Sequence, residues 1–140
     1  MYYFAYGSNM NHEQMRQRCP SSKYIKRAYL ESYKFVYDGY SKSRKGAVAN
    51  IIEEKGAVVW GGLFEIDQND LASLDIYEGY PISYDRKTIK GKDENKNIYE
   101  AIGYFRKGKS IGTPADDYRN VVLQGARDCN LPDEYIKNNI

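Results

Sequence analysis

The chain has one histidine, His12, and two cysteines, Cys19 and Cys129, among 140 residues. Each scarcity removes a class of chemistry. A Ser-His-Asp triad would have to use His12, four residues after Ser8 in what reads as a first helical turn, and Ser8 does not stand in a G-x-S-x-G elbow. Two cysteines far apart in sequence form neither a disulfide framework nor a metal-ligand set. They fit a reduced, intracellular protein, so a cytoplasmic location is expected. No apolar run approaches the roughly 18 residues of a membrane span. The N-terminus lacks the basic-then-apolar pattern of a signal peptide. The phosphate loop G-x-x-x-x-G-K-[ST] and the dinucleotide fingerprint G-x-G-x-x-G are both missing. No cofactor, metal or membrane partner is expected, and any chemistry must come from carboxylates, tyrosine hydroxyls and backbone amides.

What is present is tyrosine: 15 residues, against 4 Phe and 1 Trp. Tyr supplies core area together with a hydrogen-bonding tip, which suits pocket walls. With 41% apolar residues the chain can bury a substantial core, and residues 1–140 read as one domain. The net charge of +2 is unevenly placed. Residues 1–50 carry nine Lys/Arg against three Asp/Glu, and the remainder carries twelve against sixteen. A basic first half can attract an anionic ligand or nucleic acid. A solvated face of Lys and Arg is the simpler explanation, and no RRM-type aromatic motif accompanies it, so no nucleic-acid partner is expected.

Met1–Tyr6 reads as a strand, Gly7-Ser8-Asn9 as a turn, and Asn11–Cys19 as a short helix stopped by Pro20, with Asn11 and Gln14 as a capping pair. Tyr24–Leu30 and Tyr33–Tyr37 read as two strands, and Gly39–Gly46 as a mobile basic loop. Ala47–Ile52 and Ala57–Ile66 read as a strand pair joined by a turn at Glu54-Lys55-Gly56. A helix over Asp67–Tyr77 is capped by Asp67 and ended by Gly79 and Pro81. Tyr84–Lys90 and Ile98–Arg106 are further strands. Thr113-Pro114 opens an amphipathic helix, and Leu131-Pro132 marks a short terminal one. The strands lie too close in sequence for crossover connections, which predicts an α+β fold: a mostly antiparallel, barrel-like sheet with helices around it.

One carboxylate is out of place. Leu71 and Leu74 define the inward face of the middle helix, and Glu78 lies on that face, seven residues past one and four past the other. Burial and the C-terminal end of the helix dipole both disfavour its charge, which is how a Glu becomes a general base near neutral pH. The alternative is a helix frayed at Tyr77 with Glu78 in water. Asp75 shares the face and is a rival. At the other end of the sequence, Gly7-Ser8-Asn9 follows an aromatic strand without a spacer. It is either an ordinary junction or a nest whose N–H groups face an anion.

The segments YFAYGSNM (3–10), VWGGLFEI (59–66), LDIYEGY (74–80) and PADDYRNVVLQGARDCNLPDEYI (114–136), in this order, resemble the gamma-glutamylcyclotransferase family of the AIG2-like superfamily. The resemblance covers nearly the whole chain. The match at the C-terminal helix, with Tyr118 and the Leu-Pro near the end, favours the branch acting on gamma-glutamyl amino acids; the sister branch acting on gamma-glutamylamines typically has a Tyr-Gly-Thr-Leu-type loop, which this chain lacks. It implies a small mixed barrel with flanking helices and a reaction in which the α-amine of a gamma-glutamyl group attacks its own gamma-carbonyl, releasing 5-oxoproline, as in glutathione metabolism. It implies Glu78 as the general acid/base, and substrate binding by Tyr3, Phe4, Ala5, Tyr6, Gly7, Ser8, Asn9, Met10 and Tyr118; Tyr84, shortly after Glu78 in sequence, is expected to lie near. No cofactor is implied, and the partner is a small gamma-glutamyl substrate, bound by a monomer or homodimer. Met10 departs from the family's usual Leu; the two are similar in volume, so the pocket is expected to survive with altered selectivity. Two alternatives stand beside this reading. One is a pathway-specific cyclotransferase that removes a gamma-glutamyl cap from a biosynthetic amine. The other is a non-catalytic module that binds a small anion.

Overall fold

The computed structural model describes all residues, 1–140. Five strands close into a barrel in the order β1-β3-β2-β4-β5. These are β1 (Tyr2–Ala5), β2 (Lys23–Ser41), β3 (Gly46–Glu65), β4 (Asp85–Lys92) and β5 (Ile98–Phe105). Every pairing is antiparallel except β1 with β5, where Tyr2 faces Ala101 and Tyr3 faces Ile102 in parallel. The helices are α1 (His12–Arg18), α2 (Gln68–Glu78), α3 (Asp116–Asp128) and α4 (Asp133–Asn139), and a 3-10 turn (Ser8–Met10) links β1 to α1. The expected mixed, mostly antiparallel barrel with flanking helices is the fold observed.

The middle of the chain departs from the expected strand list. The four segments assigned to residues 24–66 are two strands of 19 and 20 residues. Both halves of β3 pair with β2 rather than with each other: Ile52 faces Lys34 and Val58 faces Glu31. The polar stretch Glu54-Lys55-Gly56 is therefore no hairpin turn. It bulges opposite Ser32, which takes φ 66°, while Gly56 takes φ 85°. A bulge of this kind bends a long ribbon so that it can serve two sides of a barrel. Half of the basic segment 39–46 is strand as well. Only Lys42–Lys45 form the turn, closed by the Lys45 N–H donating to Ser41 O at 2.7 Å. At the C-terminal side, Thr113-Pro114 stops short of α3, which begins at Asp116 behind Ala115. The Thr113 carbonyl accepts instead from Ala47 N–H (3.1 Å), tying this segment to the base of the hairpin.

The helix boundaries follow their capping chemistry. The Asn11 side chain accepts from the Gln14 N–H at 3.0 Å. Asp67 and Asp70 form a reciprocal capping box at 2.8 and 3.2 Å. Gly79 ends α2 in the left-handed conformation, φ 66°. The core gathers 27 buried side chains from all five strands and all four helices, with Phe4, Met10, Met15, Leu63, Leu74 and Val122 almost fully enclosed.

Gly125 fixes how closely α3 approaches the turn after β1. A Cβ there would lie 2.4 Å from Asn11 N and 2.7 Å from the Met10 carbonyl carbon. An exposed helical Gly→Ala change stabilises by about 1 kcal/mol. Gly125→Ala is expected to do the reverse and lower unfolding free energy by about 1–3 kcal/mol in urea titration, because backbone has to move. A stabilised variant would show that the contact is not tight.

Candidate active site

One cavity of about 650 Å³ opens at an end of the barrel. Its wall takes Tyr3, Tyr6, Gly7, Ser8 and Asn9 from β1 and the turn, Glu78 from α2, and Tyr118 from α3. Seven of the ten residues expected at a site thus converge from three separate parts of the chain. Phe4, Ala5 and Met10 do not line the cavity. Phe4 and Ala5 are 1% and 2% exposed within the barrel core, and Met10 is fully enclosed beside Gly125. Strand alternation places Phe4 opposite Tyr3, and the 3-10 turn points Met10 away from the opening. These three support the wall from behind.

Glu78 is the last residue of α2, which does not fray at Tyr77. Its carboxylate lines the cavity and makes no hydrogen bond to protein. Burial drives its pKa from 4.5 up to about 7, while the charges of Arg18, Arg106 and Arg44 pull the other way. Asp75, one turn earlier, is engaged elsewhere. It pairs with Arg86 and accepts from the Tyr104 hydroxyl at 2.6 Å. A carboxylate held by a guanidinium and a phenol is no free base, and Asp75 is not on the cavity wall.

The turn after β1 is built for close approach. Met10 N–H makes the first bond of the 3-10 turn, to Gly7 O at 3.0 Å, so the N–H groups of Gly7, Ser8 and Asn9 have no partner within it. A Cβ on Gly7 would press Ala49 Cβ at 3.0 Å. Asn9, 3% exposed, locks the turn. Its amide donates to Tyr3 Oη (3.0 Å), and its carbonyl accepts from Gln14 Nε2 (2.9 Å) and Arg18 Nη1 (3.2 Å). Two tyrosines clamp the facing backbone of Ala49: Tyr118 Oη accepts its N–H at 3.0 Å and Tyr84 Oη donates to its carbonyl at 2.7 Å. Burial pushes the Tyr118 hydroxyl up to about 12 and raises Tyr3, Tyr6 and Tyr84 as well. The hydroxyls on the wall are therefore neutral around one titrating acid.

Three arginines went unnoticed in the sequence. Arg18 stacks on the Tyr77 ring at 4.2 Å, Arg106 lies over Tyr84 at 4.9 Å, and Arg44 lies over Tyr118 at 5.1 Å. Arg106 is neutralised by Asp38, which is wholly buried and also accepts from Asn50 Nδ2 (3.1 Å) and Lys109 N–H (3.0 Å). Arg18 and Arg44 have no carboxylate partner; burial and the charge of Arg44 lower the pKa of Arg18. Arg18 reads in sequence as an ordinary basic residue in a last helical turn, and Arg44 as part of a basic loop.

A closed barrel with one polar, carboxylate-bearing cavity at its end describes the site as a class, and the chain is similar to known proteins over that whole architecture. A profile described as Gamma-glutamyl cyclotransferase, AIG2-like matches residues 3–121, and the chain belongs to that family. A gamma-glutamylcyclotransferase from Bos taurus is 32% identical across 96% of this chain and 74% of its own length. A solved gamma-glutamyl cyclotransferase structure superposes with a TM-score of 0.93 at 26% identity, over 99% of this chain and 85% of its own. A crystal structure of an uncharacterized protein from Homo sapiens gives 0.92 at 27% identity, over 98% and 84%.

Proposed function

We propose that this cavity carries out gamma-glutamyl cyclotransfer with Glu78 as the proton carrier. The observation that carries the reading is a carboxylate without a hydrogen-bond partner on the wall of the cavity that also holds the open amides of residues 7–9, where burial pushes it up to about 7. A gamma-glutamyl substrate enters as an α-ammonium, which cannot attack. Glu78 takes a proton from it. The freed nitrogen forms a bond to the gamma-carbon, and the bond from that carbon to the departing nitrogen breaks. The attacking nitrogen loses two protons in all, and the departing nitrogen gains two, so Glu78 returns to its starting state. No water is consumed, and the products are 5-oxoproline and an amine.

The remaining wall supplies position and charge. Amide groups of Gly7, Ser8 and Asn9 are suited to hold the substrate carboxylate or the oxyanion formed on attack. Ring closure requires a folded gamma-glutamyl chain, which a confined, tyrosine-walled cavity favours. The test is 5-oxoproline release from a panel of gamma-glutamyl amino acids. Release with steady turnover supports the reading; saturable binding of the panel without release would make the cavity an anion-binding module instead.

A further inference from the structure

We infer that Arg18 is a positioning residue for the reaction: it ties the end of α2 that carries Glu78 to the turn that carries the open amides. The inference rests on the cyclotransfer reading above and adds to it what keeps the two halves of the site in register. Those halves are far apart in sequence, since the turn follows β1 and Glu78 closes α2. Arg18, the last residue of α1, reaches both. Its Nη1 donates to Asn9 Oδ1 at 3.2 Å, and its guanidinium carbon lies 4.2 Å from the centre of the Tyr77 ring, next in sequence to Glu78. Its backbone carbonyl accepts from Ser73 Oγ at 2.6 Å, a further tie to α2. Cys19, which follows it, adds a weak contact from Sγ to Asp70 O at 3.6 Å.

The shape of the group matters to this role. A flat guanidinium can stack on Tyr77 with its face and donate to Asn9 along its edge, which a lysine ammonium cannot do. The other two arginines of the cavity are engaged elsewhere. Arg106 is held by Asp38, and Arg44 donates to Gln14 and lies over Tyr118. The same placement brings the charge of Arg18 to bear on the carboxyl that it positions. Three arginines act on Glu78, from α1, from the hairpin turn and from the segment after β5, and Arg18 acts most strongly. The hydroxyls of Tyr3, Tyr6, Tyr84, Tyr104 and Tyr118 also face Glu78, and all are held neutral. Lys109 stands on the same wall, and Asp75, one turn back on α2, is paired with Arg86. A positive charge favours the carboxylate form, so loss of Arg18 lets the Glu78 carboxyl rise above its wild-type value of about 7.

Three variants separate position from charge. Arg18→Met keeps the stem and removes both the donors and the charge. Its kcat for 5-oxoproline release should fall about 10–100-fold, as loss of alignment does, and the acidic limb of kcat/KM should move to higher pH. Arg18→Lys keeps the charge without the plane, so kcat should fall about 10-fold with the limb unmoved and KM little changed. Tyr77→Ser, at a residue 56% exposed, removes only the stacking surface and should fold normally. Its kcat should fall about 2–5-fold, the worth of an exposed cation–π contact. Carbon NMR titration of the Glu78 carboxyl reads the charge effect without turnover, and its midpoint should rise in Arg18→Met and stay in Arg18→Lys. Unchanged kcat and limb in Arg18→Met, or losses confined to KM or to stability in all three variants, overturn the assignment. Wild type that releases no 5-oxoproline from the panel overturns the cyclotransfer reading; the carboxyl titration still judges Arg18, and a midpoint unmoved by Arg18→Met overturns its assignment separately.

Discussion

Glu78→Gln is expected to lower kcat for 5-oxoproline release by about 10²–10⁴-fold, the usual share of a positioned general acid/base, while the protein becomes more stable. The two effects have one cause. In the wild type, Glu78 is held near a pKa of about 7, against 4.5 in the unfolded chain. Below pH 4.5 the group is protonated in both states and costs nothing. Between 4.5 and 7 the unfolded state ionises first, so stability falls as pH rises. Above 7 the full cost is present, on the order of 2–3 kcal/mol once some screening by water in the open cavity is allowed for. Urea titrations of the two proteins should therefore coincide at pH 4 and separate by pH 8, with the Gln variant the more stable. The acidic limb of kcat/KM in the wild type should fall near pH 7. Equal activity of the two proteins would remove Glu78 from the chemistry; equal stability at pH 8 would show that its carboxylate is not desolvated.

Asp38→Ala is expected to cost about 3–5 kcal/mol, because it leaves the Arg106 guanidinium buried without its partner. Asp38 also accepts from Asn50 and from the Lys109 backbone, so three donors lose their acceptor at once. The gentler Asp38→Asn keeps the volume and removes the charge. Arg106 already pulls the Glu78 pKa down, second only to Arg18. Freed of its counter-ion, it should pull harder, and the acidic limb of the rate profile should move to lower pH. A variant that loses stability with an unmoved limb would confine Asp38 to a structural role.

Much of this was legible from local patterns. Asp67, Gly79 and the spacing from Leu71 to Glu78 identify α2 and its odd acid from the sequence alone, since capping and helical periodicity act within a few residues. The abrupt passage from Tyr6 into Gly7-Ser8-Asn9 likewise marks a turn, but that its amides stay open follows only from the 3-10 bond of Met10 N–H to Gly7 O. The long β2–β3 ribbon was not legible. Glu54-Lys55-Gly56 has the composition of a turn, and only pairing with β2 decides that it is a bulge. The arginines were hidden for a related reason. Arg106 acquires its meaning from Asp38, 68 residues away, and Arg44 from Gln14 and Tyr118. Asp75 and Glu78 share a helical face, and what separates a paired carboxylate from a free one is Arg86 on β4.

The parallel pairing of Tyr2 and Tyr3 with Ala101 and Ile102 is the seam of the barrel, and it joins segments about a hundred residues apart in sequence. Closing so long a loop is entropically late, and contacts of this separation form slowly. The turn that carries the open amides hangs directly from β1, while Glu78 and Arg44 ride on the ribbon-and-helix half that can assemble through shorter loops. During refolding the base and the hairpin can take shape before the amides are delivered to them. Activity is expected to return only once β1 has docked, on β3 as well as across the seam to β5, and its recovery works as a clock for that event.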